Sequence, residues 1–554
     1  MTARFRWALP AAAAALSVAV ALLWARALPA SLWVDECVTY WVAADGPAHI
    51  FQRSLLVLQS PLHVFIAWAG MKITGTVEAG MRFPSVLAMA AAALLLYRLA
   101  RRIGGAEFAL LGVSFFLCSP FVAFFATDGR PYACALAAST GALEAFLLWK
   151  TGGRWRHALL FAVLSALTVH FQLLFVYAYA VFGAAWLLGG GLASRGRSAI
   201  GPGSTARSEG DRRAGFPSAA QLLAVGFTIA LLLSPLALHF KTMFVERDAK
   251  SPGFPPTLAT AWDFIAPRLN RFSLSWAVAA GALAMVIAAA LGKRVRWRTL
   301  ALDRSAVVLM VVAAVLPVAI LFAAASLTGV QVFVPRYAIL AAAPLALLFA
   351  WGVRALPAAF AWPAMAAFVA IQLFGFWRGP FLTLHGNEGW RQAAAFIQSL
   401  PESGPVLVRP GLAESASPRH LAGGRYASYL CVPLTAYPLP SKTAIPLPFY
   451  DAPELRDYLR GVYIRAALYG KFLILTNSRI APGHATSGDP IRAVAAWANQ
   501  DGFTVREAAA FGEVSVWEFR QAGHEHLPPY PATSPVLPSM ADVLEPPLSA
   551  SRTR

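Results

Sequence analysis

At 554 residues, 58% of them hydrophobic and 13% charged, the chain is too apolar for a soluble protein, since soluble domains carry roughly 25% charged residues. A net charge of +19 would suit nucleic acid. The basic residues, however, lie in short clusters between apolar runs, the pattern of loops on the inner side of a membrane. The four cysteines share no ligand-like spacing, and no zinc-finger, RNA-binding or glycine-rich phosphate signature is seen.

Apolar runs approach the ~20 residues that cross a hydrocarbon core of about 30 Å. The first, 8–29, follows Arg4 and Arg6 and reads as a retained span rather than a cleaved signal peptide. The loop 31–80 comes next, with short interfacial helices expected at 47–58 and 61–74. Spans are expected at 83–97, 106–125 and 132–149. The stretch 158–190 is too long for one helix and is divided near His170-Phe171-Gln172 into two. A basic loop, 194–215, precedes the span 217–238, and a proline-bearing loop, 240–272, follows it. Further spans are expected at 273–291, 306–327, 338–352 and 357–376, giving about eleven in all, within a range of about 10–13.

With the N-terminus inside, the basic loops at 98–105, 150–157, 194–215, 293–304 and 354 all fall inside. Such agreement over several loops outweighs any one of them. It assigns Asp35, Glu36, Asp128, His170, the loop 240–272, Arg336 and the C-terminal region to the outer side. From about 385 the composition changes to alternating helix and strand patterns. Helices are expected at 388–400, 458–469 and 489–501, and strands at 405–408, 471–476 and 514–519. The predicted organisation is a membrane module, 1–380, a small α/β domain, 385–520, on the outer face, and a Pro-rich flexible tail, 521–554.

Three groups of residues could carry chemistry. Asp35 and Glu36, beside Trp33, form an acidic pair at a membrane boundary, where carboxylates are costly unless they face water, a partner or a cavity. The pair fits a solvated loop start. It equally fits a general base that deprotonates an acceptor hydroxyl, with one residue acting and the other orienting. Asp128-Gly129-Arg130-Pro131-Tyr132 is a tight turn holding another outer carboxylate, either an ion-paired turn or, with Asp35, a site for a divalent cation. His63 and His170 are outer-face cavity candidates, as is Tyr132, although a lone histidine is more often a packing residue. The basic residues Arg82, Arg336, Lys241 and Arg247, with Tyr337 beside Arg336, would suit a lipid phosphate, since guanidinium groups chelate phosphate oxygens in pairs. Headgroup contact and snorkelling are the plain alternative.

The order of W-x-D-E at 33–36, R-F-P-S at 82–85, D-G-R-P-Y at 128–132 and R-Y at 336–337 before Pro344 resembles the GT-C superfamily of polyprenyl-phosphate-sugar-dependent glycosyltransferases. The likeness is strongest to bacterial relatives of the protein mannosyltransferases and of the lipid A aminoarabinose and galacturonic acid transferases. The resemblance implies a polytopic α-helical GT-C fold in the cytoplasmic (inner) membrane, with the active site facing the periplasm or exterior. It implies inverting transfer of a sugar from a polyprenyl-phosphate donor to a hydroxyl on a glycolipid, lipid A, an envelope glycan or a protein.

By that likeness Asp35 matches the catalytic carboxylate, Glu36 its neighbour, Asp128 the second acidic position, and Arg336 a donor-phosphate contact. Arg82, Arg130, Tyr337, Lys241 and Arg247 join the phosphate set. Trp33, His63, Tyr132 and His170 join the acceptor or cavity set. Many relatives carry Glu before Ala-Arg where this chain has Asp128-Gly129-Arg130, which alters the reach of the carboxylate. Some relatives bind a divalent metal and others do not, so Asp35 and Asp128 are the candidate ligands and no cofactor is assigned. A polysaccharide polymerase of another membrane family and a lipid-linked sugar transporter are the competing readings. A transporter should place its ionisable groups near mid-membrane, whereas these cluster at one face.

Overall fold

The computed structural model describes residues 15–196, 218–245, 256–257, 302, 304–330, 332–355, 358–378, 388–400, 404–422, 428–440, 442–477, 488–521 and 523. The span expected at 273–291, Arg247, most of the basic loop 194–215 and nearly all of the tail from 521 lie outside them. The chain divides into two compact units. One comprises Met1–Leu28, Phe51–Val245 and Gly253–Leu382; the other includes Pro29–Ile50 and Thr383–Arg554.

Among the described residues, the first unit is built of helices. Among the described residues, Val77–Leu117, Tyr132–Gly152, Ala219–Val245, Ala306–Thr328 and Pro335–Ala355 are long and apolar enough to cross a membrane. Shorter apolar helices cover Ala15–Ala25, Trp155–Phe171, Leu173–Leu188 and Met365–Phe374. Helix is the expected solution, because a lipid-exposed backbone must satisfy its own hydrogen bonds. Pro47–Leu56 and Pro61–Thr74 are also helical.

Breaks fall where the sequence changes character. Gly105, at φ 83° and ψ −178°, interrupts the Val77–Leu117 helix between the two spans expected there. Only glycine occupies that region without strain. The Trp155–Phe171 helix ends at Gln172, which is extended at φ −146° and ψ 113°. A 3₁₀ turn over Leu173–Tyr177 then leads into Ala178–Gly196. His170 Nε2 bonds the Leu232 carbonyl at 2.7 Å and so ties this break to the Ala219–Leu233 helix.

Small residues allow a close crossing. An ideal Cβ on Gly80 would stand 2.5 Å from Met71 Cα, and one on Gly70 would stand 2.3 Å from the Gly80 carbonyl oxygen. Backbone therefore meets backbone between Pro61–Thr74 and the start of Val77–Leu117, the use of glycine typical of membrane helix pairs. Further along, Glu144 is buried in the Tyr132–Gly152 helix, where it pairs with Arg102 Nε at 3.0 Å and Arg98 Nε at 3.4 Å. These arginines lie within helix, so the helix runs past the predicted end at 97.

The second unit is built on a five-stranded sheet in the order β2-β1-β3-β5-β4. The strands are β1 (Val406–Arg409), β2 (Ala444–Pro446), β3 (Lys471–Asn477), β4 (Phe503–Phe511) and β5 (Val514–Gln521). β1 runs parallel to both β2 and β3, while β5 is antiparallel to β3 and β4. Strand alternation sends Val406, Val408, Leu473 and Leu475 to one face, under the Trp390–Ser399 helix. Leu407, Phe472 and Ile474 go to the other face, under Pro453–Ala467 and Pro490–Gln500. A continuous apolar β3 is what burial on both faces requires. Asp489 caps the last of these helices, its Oδ1 accepting from Ile491 N–H at 3.0 Å.

Candidate active site

In the second unit, Asp35 and Glu36 lie in the first turn of a helix, Val34–Ala43, where the sequence suggested a loop. The N-cap, Trp33, has no side-chain acceptor to offer the exposed N–H groups of that turn. Other carboxylates take that part. Fully buried Glu36 reaches back to accept from Trp33 N–H at 3.2 Å. Oε2 of Glu388 accepts from Val34 N–H at 2.8 Å. A negative group at a helix N-terminus is also favoured by the helix dipole. Asp35 itself is half-buried.

The polypeptide leading into this helix is held by residues of the sheet domain. Arg391 donates from its backbone N–H to Ser31 Oγ at 3.3 Å and from its guanidinium to the Pro29 carbonyl at 3.1 Å. Leu32 N–H donates to Tyr437 Oη at 2.8 Å. Farther along the helix, Trp41 Nε1 donates to Ser428 Oγ at 3.3 Å and its ring lies 5.3 Å from that of Tyr429.

Glu388 was not among the residues the sequence pointed to. The same Oε2 accepts from Trp390 Nε1 at 2.8 Å. Burial pushes its carboxyl up to about 7 from the ordinary 4.5. The two hydrogen bonds oppose this rise, and the negative charges of Asp35 and Glu513 add to it. No local motif marks the residue, since its partner lies 354 positions earlier.

In the first unit, His63 and the Asp-Gly-Arg turn come together. His63 Nε2 bonds the Gly129 carbonyl at 3.0 Å, and Ser85 Oγ donates to the Arg130 carbonyl at 3.4 Å. Burial holds His63 down to about 4, outweighing the Gly129 bond that raises it; Arg130 lowers it further. Asp128 is fully buried and Arg130 nearly so.

Tyr132 and Tyr337, from separate motifs, lie with ring centroids 6.4 Å apart. Tyr177 Oη donates to the Tyr337 carbonyl at 2.5 Å, fixing the 3₁₀ turn Pro335–Ala341 that carries Arg336. The Arg336 guanidinium lies 5.4 Å over the Tyr337 ring, a cation–π arrangement. Tyr177 gave no sequence signal, because an apolar run masks its single hydroxyl.

Other predicted residues have local duties. Arg82 is buried and donates to the carbonyls of Ala27 and Leu28 at 3.1 Å each, securing the end of the first helical segment. His170 is the interhelical tie described above. Lys241 is exposed on Ala237–Val245. Among the described residues no group of three or more His, Cys, Asp or Glu side chains is arranged to hold a metal ion.

The model of the dolichyl-phosphate-mannose-protein mannosyltransferase family matches residues 58–198. That segment contains His63, Arg82, Asp128 and Tyr132. The chain also resembles the crystal structure of ArnT from Cupriavidus metallidurans bound to undecaprenyl phosphate, with a TM-score of 0.53 at 12% identity, covering 93% of this chain and 99% of that one. The chain has the GT-C fold. The apo ArnT structure gives a TM-score of 0.51 at 12% identity, over 93% of this chain and 98% of that one. No curated protein matches the chain by sequence. The GT-C likeness thus extends through the helical unit and the C-terminal sheet domain alike.

Proposed function

We propose that the chain is an inverting glycosyltransferase that moves a sugar from a polyprenyl-phosphate donor to a hydroxyl acceptor at the outer face of the cytoplasmic membrane. The observation that carries this reading is the likeness, over 93% of the chain, to a fold solved with undecaprenyl phosphate bound. The acceptor class is a glycolipid, lipid A, an envelope glycan or a protein.

In this proposal Asp35 takes the proton from the acceptor hydroxyl as its oxygen attacks the anomeric carbon. The new C–O bond forms while the bond to the donor phosphate oxygen breaks, and the electron pair leaves on the polyprenyl phosphate. A single displacement inverts the anomeric centre. Arg336 and Arg130 neutralise charge on the departing phosphate, with Tyr337, Lys241 and Arg247 as further contacts. Arg82 contributes by holding the first helical segment. Glu36 holds the helix start beside the base, and Asp128 orients the acceptor. Trp33, His63, Tyr132 and His170 shape the cavity. Asp35 and Asp128 would be the ligands of a divalent cation, were one bound. The proposal includes about eleven spans, an inner N-terminus, and an outer α/β domain at 385–520.

A transfer assay in membranes with a panel of polyprenyl-phosphate sugars tests the reading. Asp35→Asn should abolish product formed by the wild type, and equal product from both would sink the base assignment. Cysteine labelling at 33 and 336, with the buried native thiols replaced, tests sidedness. Both positions should label from outside; labelling from opposite sides overturns the proposed topology.

A further inference from the structure

We propose that Glu388 is a positioning residue for Asp35: by holding the Val34 N–H, it lets the C-terminal sheet domain set where the base stands. The inference rests on Asp35 being the base. It gives the domain a part in the chemical step, beyond any part in reading the acceptor.

The Val34–Ala43 helix fixes only part of its own beginning: Glu36 answers the Trp33 N–H, and the Val34 N–H goes to Glu388. Its N-cap is a tryptophan, and the preceding residues are Pro29, Ala30, Ser31 and Leu32. A helix start without a side-chain acceptor frays, because its first N–H groups find no partner within the helix. Glu388 supplies the missing acceptor one residue before Asp35. A change in φ or ψ at Val34 would swing Asp35, and the bond resists that change.

The anchor itself is stiff. Trp390, which shares the carboxyl oxygen of Glu388, is 1% exposed and packs in the core beside Val406 and Leu473. Gly389 N–H donates to the Phe511 carbonyl at 3.1 Å, and Glu388 bridges Gly512. The path is therefore short: β4–β5 turn, Glu388, Val34, Asp35. The bonds from Arg391 and Tyr437 to residues 29–32 hold the same approach. Catalytic groups need such support, because small displacements of a base cost large factors in rate.

The chemistry of the carboxyl suits the task. Among the described residues, Asp35 and Glu513 are the charged groups that act on Glu388, and both are acidic. A neutral Glu388 accepts the Val34 bond without placing a further negative charge beside the base.

The test compares full-length wild type, Asp35→Asn, Glu388→Ala and Glu388→Gln in the polyprenyl-phosphate-sugar assay, with amide hydrogen exchange over residues 31–43 measured in parallel. Glu388→Ala should lower kcat about tenfold, with donor KM little changed, and should speed exchange in 31–43 but not in β3. Glu388→Gln keeps an oxygen of the same reach and should restore both. It should also remove the ionisation near 7 expected in the wild-type kcat profile. Wild-type turnover and exchange in Glu388→Ala, with Asp35→Asn inactive, would overturn the positioning role and leave the base assignment standing. Full activity in Asp35→Asn would overturn the base assignment and this inference with it. Should Glu388→Ala fail to fold, Glu388→Asp decides, since its carboxyl stops one methylene short of the Val34 N–H: wild-type kcat and wild-type exchange over 31–43 overturn the inference.

Discussion

His63 Nε2 lies 3.0 Å from the backbone oxygen of Gly129. Because a carbonyl only accepts, Nε2 must carry a proton, and burial keeps the ring neutral near pH 7. The bond joins the Pro61–Thr74 helix to the turn that carries Asp128 and Arg130.

His63→Leu should therefore cost about 2 kcal/mol, because it leaves a buried carbonyl unpaired. His63→Gln, which retains a donor, should cost less. The pH dependence has a definite sign. The folded group titrates at about 4 and the unfolded one at 6.5, so the unfolded chain binds the proton first. This stabilisation is full above 6.5 and is lost as pH falls toward 4. Thermal unfolding in detergent at pH 4.5 and 7.5 should show the loss in the wild type and a smaller one in His63→Gln.

Gly80 sets the distance between two helices. Gly80→Leu places its Cβ within 2.5 Å of Met71 Cα, and neither backbone can yield cheaply. The expected loss is about 2 kcal/mol or more, from overpacking. The helix bearing His63 should shift away from Arg82 and Ser85, and activity should fall with stability. An unchanged melting midpoint would show that the crossing is looser than described.

Glu144 and its two arginines should respond asymmetrically. Arg98 and Arg102 are 54% and 48% exposed at the side chain, whereas Glu144 is 5% exposed. Arg98→Ala with Arg102→Ala strands a buried carboxylate and should destabilise by about 3 kcal/mol. Glu144→Leu leaves two cations with access to water or headgroups and should cost much less. Folded yield after detergent extraction gives the ranking.

Glu388 makes an opposite pH contribution. Its folded carboxyl titrates at about 7 and the ordinary group at 4.5, so between these values the folded chain keeps a proton that the unfolded chain has released. This stabilisation is full below 4.5 and falls as pH rises toward 7. The change approaches about 3 kcal/mol. Glu388→Gln should flatten that part of the stability curve in denaturant titrations of the full chain.

Much of the helical unit was legible because a bilayer leaves few choices. The apolar runs ending at Lys150 and near Gln172 could satisfy their backbone groups only as helices, and the charge clusters marked their ends. Arg98 and Arg102 lie within helix, and a buried Glu144 lets the helix carry them. In the sheet domain, β1, β3 and β5 were legible from their apolar runs. β2 was too short to signal, with three residues. β4 contains Arg506-Glu507-Ala508-Ala509-Ala510, a composition that favours helix. Pairing with β5 across the Gly512 turn, with a register shift between Glu507 and Ala509, overrode that preference.

For the candidate site, the sequence by itself determined the kinds of residue and their company along the chain: Asp35 with Glu36, Asp128 with Arg130 and Tyr132, Arg336 with Tyr337. Tertiary structure decided what each one leans on. At the start of Val34–Ala43, Glu388 and Tyr437 accept from the Val34 and Leu32 N–H groups, from more than 350 positions away. Tyr132 met Tyr337, and His63 met Gly129, through helix crossings that no spacing reveals. The reason is physical: hydrophobic period and charge act between near neighbours, whereas a buried hydrogen bond is chosen by whichever group the completed fold brings within 3 Å.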